Sequence, residues 1–218
     1  MEWDNNSQMR FDEVYTVSYG EDSVEYGYVS GDDRLVYIKA GMGGSYEGDH
    51  SKYLRIARRL NKRCGCSVVS VANPSPLPIS VDKAIVDDLI HRHGISDSRI
   101  SFFGHSNGGV KGLELADTGI KFDKMVLVNM PLMINFHKTV QRIKAIPGTR
   151  IIAVYGEHDP SYKYIPFLER KGLSNVEIVK YPSVDHNFDG RLDEFVELSD
   201  SLMSQFVFVK RKLITESV

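Results

Sequence analysis

Apolar and polar positions change rhythm along this chain. Near the N-terminus they alternate, and residues 13–17 and 23–29 read as two strands around the turn residues Tyr19-Gly20-Glu21-Asp22, which predicts an antiparallel hairpin. From residue 35 onward, short apolar runs take over, at 35–39, 67–71, 100–103, 125–128, 151–154 and 176–179. Helical periodicity fills the intervals. Tyr53, Ile56, Ala57 and Leu60 fall at i, i+3, i+4 and i+7 and predict a helix over 51–61. Val81, Ile85 and Leu89 predict a second, with Ser80 as its cap. A third follows the glycine-rich stretch at 104–109, and a last one over 192–206 turns Leu192, Phe195, Val196, Leu202 and Phe206 inward. Strands alternating with helices at this spacing require parallel crossovers and a sheet covered on both faces. The expected class is α/β, with about eight mostly parallel strands, an N-terminal antiparallel hairpin and helices on both sides.

No repeat or shift in composition divides the 218 residues, so one domain over 1–218 is expected, with only residues 129–150 free to form a short cap-like segment. Charge removes several functions. With 27 Lys+Arg against 29 Asp+Glu the net charge is −2, which gives no electrostatic case for nucleic acid or an anionic membrane as partner. The start, Met1-Glu2-Trp3-Asp4-Asn5-Asn6, has neither a basic stretch nor an apolar one, and no apolar run approaches the roughly 20 residues of a spanning helix. A cytoplasmic protein without stable membrane insertion is the expectation. Cys64 and Cys66 are the whole cysteine inventory, too few for a disulfide scaffold or a complete zinc site, so no metal is expected. The mixed apolar and basic tail at 207–212 reads as a frayed helix end with solvated charges.

Candidate chemistry concentrates at Gly104-His105-Ser106-Asn107-Gly108, between an apolar run and a helix. A turn that tight leaves little room for a Cβ two residues before or after the serine. Ser106 would then stand at the C-terminal edge of the sheet, over a helix N-terminus whose amides favour developing negative charge. A serine hydroxyl needs a histidine base, itself oriented by a carboxylate. Of the seven histidines, His186 lies in the loop between the last apolar strand and the last helix, which returns to the same edge. His105 should point away from its neighbour's hydroxyl. His91 and His93 sit at a helix end without a shared face, and His50 and His137 read as surface residues. The acid belongs after the preceding strand, where Gly156-Glu157-His158-Asp159-Pro160 follows, and Asp159 is the first choice, with Glu157 and Asp185 as rivals.

The motifs Gly104-His105-Ser106-Asn107-Gly108, Gly156-Glu157-His158-Asp159 and Asp185-His186-Asn187-Phe188 come in the order nucleophile, acid, histidine, and in them the chain resembles the α/β-hydrolase superfamily over nearly its whole length. The resemblance implies that fold and gives Ser106, Asp159 and His186 those roles. It also implies an oxyanion hole from the amide of Asn107 and one in the loop Ala40-Gly41-Met42-Gly43-Gly44, with Met42 the better match and Gly43 the alternative. The expected activity is hydrolysis of a carboxylic ester or thioester of a small acyl substrate through an acyl-enzyme, with no cofactor. Met130, Leu132 and Met133, with Ile134 and Phe136, could line an apolar acyl pocket, or else pack a short helix on the sheet. A non-catalytic binding or regulatory protein on the same fold and an acyltransferase are the alternatives. Oligomeric state is not legible.

Overall fold

The computed structural model describes residues 9–203. Strands β1 (Glu13–Tyr19) and β2 (Asp22–Val29) form the hairpin, and β2 lies antiparallel against β4 (Cys66–Val71). Every other pairing is parallel. With β3 (Asp32–Lys39), β5 (Ile100–His105), β6 (Lys124–Val128), β7 (Arg150–Gly156) and β8 (Val176–Tyr181), one eight-stranded sheet results, in the order β1-β2-β4-β3-β5-β6-β7-β8. Helices α1 (Lys52–Cys64), α2 (Ile79–His93), α3 (Asn107–Ala116), α4 (Phe136–Ala145), α5 (Ile165–Glu169) and α6 (Leu192–Glu197) join or follow the strands.

Strand periodicity of two divides the interior into two cores. Leu35 and Tyr37, Phe102, Met125 and Leu127, and Ile151 and Ala153 face one side, where α2, α3 and α4 bury Val81, Ile85, Leu89, Leu113, Val140 and Ile143. Val36 and Ile38, Phe103, Val126 and Val128, and Ile152 and Val154 face the other. There α1 and α6 bury Tyr53, Ile56, Ala57, Leu60, Phe195 and Val196. Because both faces are covered, the central strands carry unbroken apolar runs.

Register sets the working edge. Lys39 lies opposite Gly104, Gly104 opposite Leu127, and Gly156 opposite Tyr181. The loops leaving β3, β5, β6, β7 and β8 therefore emerge side by side, and the residues expected to carry chemistry lie on them.

Several local expectations change. Pro78, not Ser80, is the N-cap of α2, because proline's fixed φ suits the extended entry to the helix. The last helix is shorter than expected and tightens after Glu197 into a 3₁₀ turn, Leu198–Leu202. Phe206 and the tail at 207–212 lie outside the described residues. Residues 129–150 are spent on the β6-to-β7 crossover, since α4 turns Thr139, Val140 and Ile143 into the core against α3. Among the described residues no helix is long and apolar enough to cross a membrane.

Candidate active site

Ser106 stands between the last residue of β5 and the first of α3, with φ 54 and ψ −127. That left-handed φ is costly for a side chain bearing a Cβ, and neighbouring backbone contacts hold it. The Ser106 N–H donates to the Val128 carbonyl at 2.8 Å, and its carbonyl accepts from the Gly109 N–H at 2.9 Å. The turn is also tight in the way the sequence implies. A Cβ on Gly108 would lie 2.2 Å from the Lys39 carbonyl oxygen, and one on Gly104 2.7 Å from the Gly109 nitrogen.

His186 Nε2 lies 2.9 Å from Ser106 Oγ, and His186 Nδ1 lies 2.5 Å from Asp159 Oδ2. A carboxylate oxygen only accepts, so Nδ1 carries the hydrogen, and the lone pair of Nε2 is left to accept the serine O–H. The Asp159 side chain is 1% exposed, and its other oxygen accepts the Ser161 N–H at 2.6 Å. Neither rival carboxylate meets the ring. Glu157 accepts the Ser183 N–H, and Asp185 accepts the N–H groups of Asn187 and Asp189, which folds the turn that presents His186.

Two residues that sequence reasoning passed over hold this arrangement together. Asn129, which the sequence offers only as the start of the cap-like segment, is fully buried at φ 49 directly after β6. Its Nδ2 donates to the carbonyls of His186 at 2.8 Å and Asp185 at 3.1 Å, and its Oδ1 accepts the Gly156 N–H at 2.9 Å. His105 does point away from the serine hydroxyl, but into a contact of consequence. Its Nε2–H donates to the His186 carbonyl at 2.9 Å, which leaves Nδ1 to accept the Tyr53 O–H at 3.4 Å. The Tyr53 oxygen in turn accepts the Gly41 N–H at 3.4 Å. Burial, helped by the positive charge of Lys52, pushes the pKa of His105 down to about 3, so the ring is neutral in this chain of donors.

The loop after β3 passes beside Ser106, since a Cβ on Gly41 would lie 3.4 Å from Ser106 Cβ. The Gly43 N–H is already given to the Asn73 carbonyl at 2.8 Å and that of Gly44 to the Gly41 carbonyl at 2.9 Å. Asn73, buried after β4, fixes both sides of this gap. Its Nδ2 donates to the Ala40 carbonyl and to Asn107 Oδ1, each at 3.0 Å.

Beneath the loop lies an ionic cluster. Lys39 Nζ, fully buried at the end of β3, donates to Asp82 Oδ1 at 2.7 Å and to the Ala72 carbonyl at 2.8 Å. The Tyr37 hydroxyl donates to the same carboxylate oxygen at 2.5 Å. Burial pushes the Lys39 pKa down to about 8 despite that partner.

The expected acyl-lining residues divide. Met130 and Leu132 are 0% exposed and belong to the core under α3 and α4, which matches the packing that the sequence left open beside an acyl pocket. An apolar stretch of this length after a strand fits a pocket wall or a packed turn equally well, and packing against Gly109 claims Met130. Met133 and Ile134 are exposed at 40% and 72%. His50 is exposed beside Asp49, and His91 and His93 close α2. Among the described residues no group of three or more His, Cys, Asp or Glu side chains could hold a metal ion.

The sequence matches no protein-family model and no curated protein. Solved structures do match. Est1E from Butyrivibrio proteoclasticus superposes with a TM-score of 0.71 at 14% identity, over 87% of this chain and 97% of that one. An α/β serine hydrolase homologue from Coxiella burnetii gives 0.66 at 16% identity, over 89% and 98%. XC6422 from Xanthomonas campestris, described as an α/β serine hydrolase without a lid, gives 0.65 at 14% identity, over 88% and 93%.

Proposed function

The chain has the α/β-hydrolase fold, and on that premise we propose that it is a serine hydrolase that cleaves a carboxylic ester or thioester of a small acyl substrate through an acyl-enzyme. The observation that carries this reading is the unbroken line from Asp159 through His186 to Ser106, with contacts of 2.5 and 2.9 Å.

In this mechanism His186 Nε2 takes the Ser106 proton as Oγ attacks the acyl carbon. The imidazolium that forms is held by the buried Asp159 through its contact with Nδ1. The carbonyl oxygen gains negative charge against the amides of Met42 and Asn107, and fixed donors of this kind are worth about 3–4 kcal/mol each in related acyl-transfer sites. His186 then gives its proton to the leaving oxygen or sulfur. Water, deprotonated by the same ring, releases the acid and regenerates the serine.

The rim supports an apolar acyl or aryl group. Met42, Met133, Ile134 and Phe167 are exposed large apolar side chains carried on the loops and short helix that follow β3, β6 and β7, at the edge where Ser106 stands. With residues 129–150 committed to the crossover, this edge has no long covering insertion between β6 and β7. Selection then rests on a few loop side chains.

A fluorophosphonate probe tests the reading directly. Ser106 should be labelled in the folded protein and not in Ser106→Ala, and absence of labelling would overturn the proposal. p-Nitrophenyl esters and acyl-CoAs of graded chain length then separate ester from thioester preference. Product that appears only with an added alcohol or amine acceptor would assign acyl transfer instead.

A further inference from the structure

Cys64 and Cys66 take no part in the site above. They lie at the opposite edge of the sheet, where Cys64 ends α1, Gly65 caps it at φ 75, and Cys66 opens β4. The chain reverses from helix to strand across one residue, and this brings the two free sulfurs to 3.0 Å. A disulfide needs about 2.0 Å, so closure asks for roughly 1 Å of movement. Gly65 has space for it, because a Cβ there would meet nothing closer than 3.8 Å.

The two thiols differ in access and in charge. Cys64 is partly exposed, whereas Cys66 is 2% exposed. Both border a cavity of about 330 Å³ walled by Arg34, Arg99, Asp123 and Leu202. Arg34 donates to the Cys64 carbonyl and sets a positive charge beside its sulfur. Cys64 Sγ lies 2.9 Å from the Leu60 carbonyl oxygen as well as 3.0 Å from Cys66 Sγ. The sulfur–sulfur contact, above all, and the Cys66 N–H and Arg34 favour the Cys64 thiolate against burial and Asp32, while Cys64 and burial push the Cys66 thiol up.

We propose that Cys64-Gly65-Cys66 is a redox-reactive dithiol, oxidised by low-molecular-weight disulfides to an internal disulfide, with Cys64 attacking and Cys66 resolving. The Cys64 thiolate attacks one sulfur of RS–SR. The S–S bond breaks, RS⁻ leaves and takes a proton from water, and a mixed disulfide remains on Cys64. Cys66 then gives its proton to solvent, and its thiolate attacks the Cys64 sulfur and expels the second RS⁻. Two protein thiols lose two electrons in all, and RSSR is reduced to two RSH. The partial exposure of Cys64 lets it meet a small disulfide first, and the buried position of Cys66 makes it the resolving partner.

The test is to incubate the folded protein with oxidised glutathione, alkylate under denaturing conditions with a maleimide, and read the intact mass and the peptide that holds both cysteines. The wild type should lose both alkylatable thiols together, carry no lasting glutathione adduct, yield a peptide two hydrogens lighter, and recover on reduction. Cys66→Ser should stall as the Cys64–glutathione adduct. Cys64→Ser should react at least about tenfold more slowly, since its remaining thiol is buried. Retention of both thiols by the wild type, a lasting adduct on it, or disulfide-linked chains would overturn the proposal without recourse to either variant. Equal reactivity of Cys64→Ser and wild type would overturn the assigned order.

Discussion

Asn129 holds the main chain of His186, with Nδ2 donating to its carbonyl at 2.8 Å while Oδ1 accepts the Gly156 N–H at 2.9 Å. One buried amide therefore joins the ends of β6 and β7 to the loop that carries His186. His105 donates to the same His186 carbonyl at 2.9 Å. The ring that must sit between Ser106 and Asp159 is thus positioned through its backbone, by two residues that do not touch it as acid or nucleophile.

Asn129→Ala should leave the Asp185 carbonyl and the Gly156 N–H without their partner, and the His186 carbonyl with His105 alone. Each buried group left unpaired costs about 1–3 kcal/mol. The expected outcome is a lower melting temperature together with a fall in kcat/KM of about 10- to 100-fold, which corresponds to about 1.4–2.7 kcal/mol of lost transition-state stabilisation. A variant that melts earlier but keeps full kcat/KM would reduce Asn129 to a structural role.

The choice of acid is tested by three isosteric changes. Asp159→Asn should lower kcat by up to about 10⁴-fold, because an amide at this position favours the wrong tautomer of His186. Ser106→Ala or His186→Ala should lower it by roughly 10⁴- to 10⁶-fold. Asp185→Asn and Glu157→Gln touch only loop N–H groups and should cost far less. Steady-state kinetics on one ester substrate decides, and a crippled Asp185→Asn beside a mild Asp159→Asn would reverse the assignment.

The positions of Ser106, Asp159 and His186 were legible because topology acts through strand order. In a parallel sheet every strand ends at the same edge, so a residue just past an apolar run is placed without knowledge of any distance. Asn129 met the same criterion, directly after Met125–Val128, and could have been found by it. It was missed because an asparagine after a strand ordinarily marks a turn, and nothing local distinguishes an amide that bonds its own loop from one that bonds two others. Whether Met130 and Leu132 line a pocket or pack on the sheet stayed open for a related reason, since hydrophobicity gives burial but not what does the burying. Which of three nearby carboxylates faces the histidine was likewise left open, because that depends on turn geometry within four or five residues.

The buried cluster of Tyr37, Lys39 and Asp82 gives a stability prediction. Asp82→Leu alone would strand a fully buried ammonium and a phenol, and breaking such a pair typically costs about 3–5 kcal/mol. Replacing the whole cluster, as Tyr37→Phe with Lys39→Met and Asp82→Leu, should recover most of that loss, since the desolvated charges disappear together. Urea unfolding of the single and triple variants makes the comparison. A triple variant no more stable than Asp82→Leu would mean that the cluster contributes shape that apolar residues cannot replace.

His105 should make stability depend on pH in the acid range. Its folded-state pKa, about 3, lies below the ordinary histidine value of 6.5, because burial and the Lys52 charge disfavour the imidazolium. Between those values the unfolded chain binds a proton that the folded one does not, so stability is complete above about pH 6.5 and is lost as pH falls toward 3. At 1.36 kcal/mol per unit the full effect is on the order of 5 kcal/mol. His105→Gln retains an N–H for the His186 carbonyl but cannot titrate. It should be less stable than wild type at about pH 7.5 through poorer packing, yet lose less on acidification to about pH 4. Chemical denaturation at several pH values reads both slopes, and identical slopes would assign the acid sensitivity to a different group.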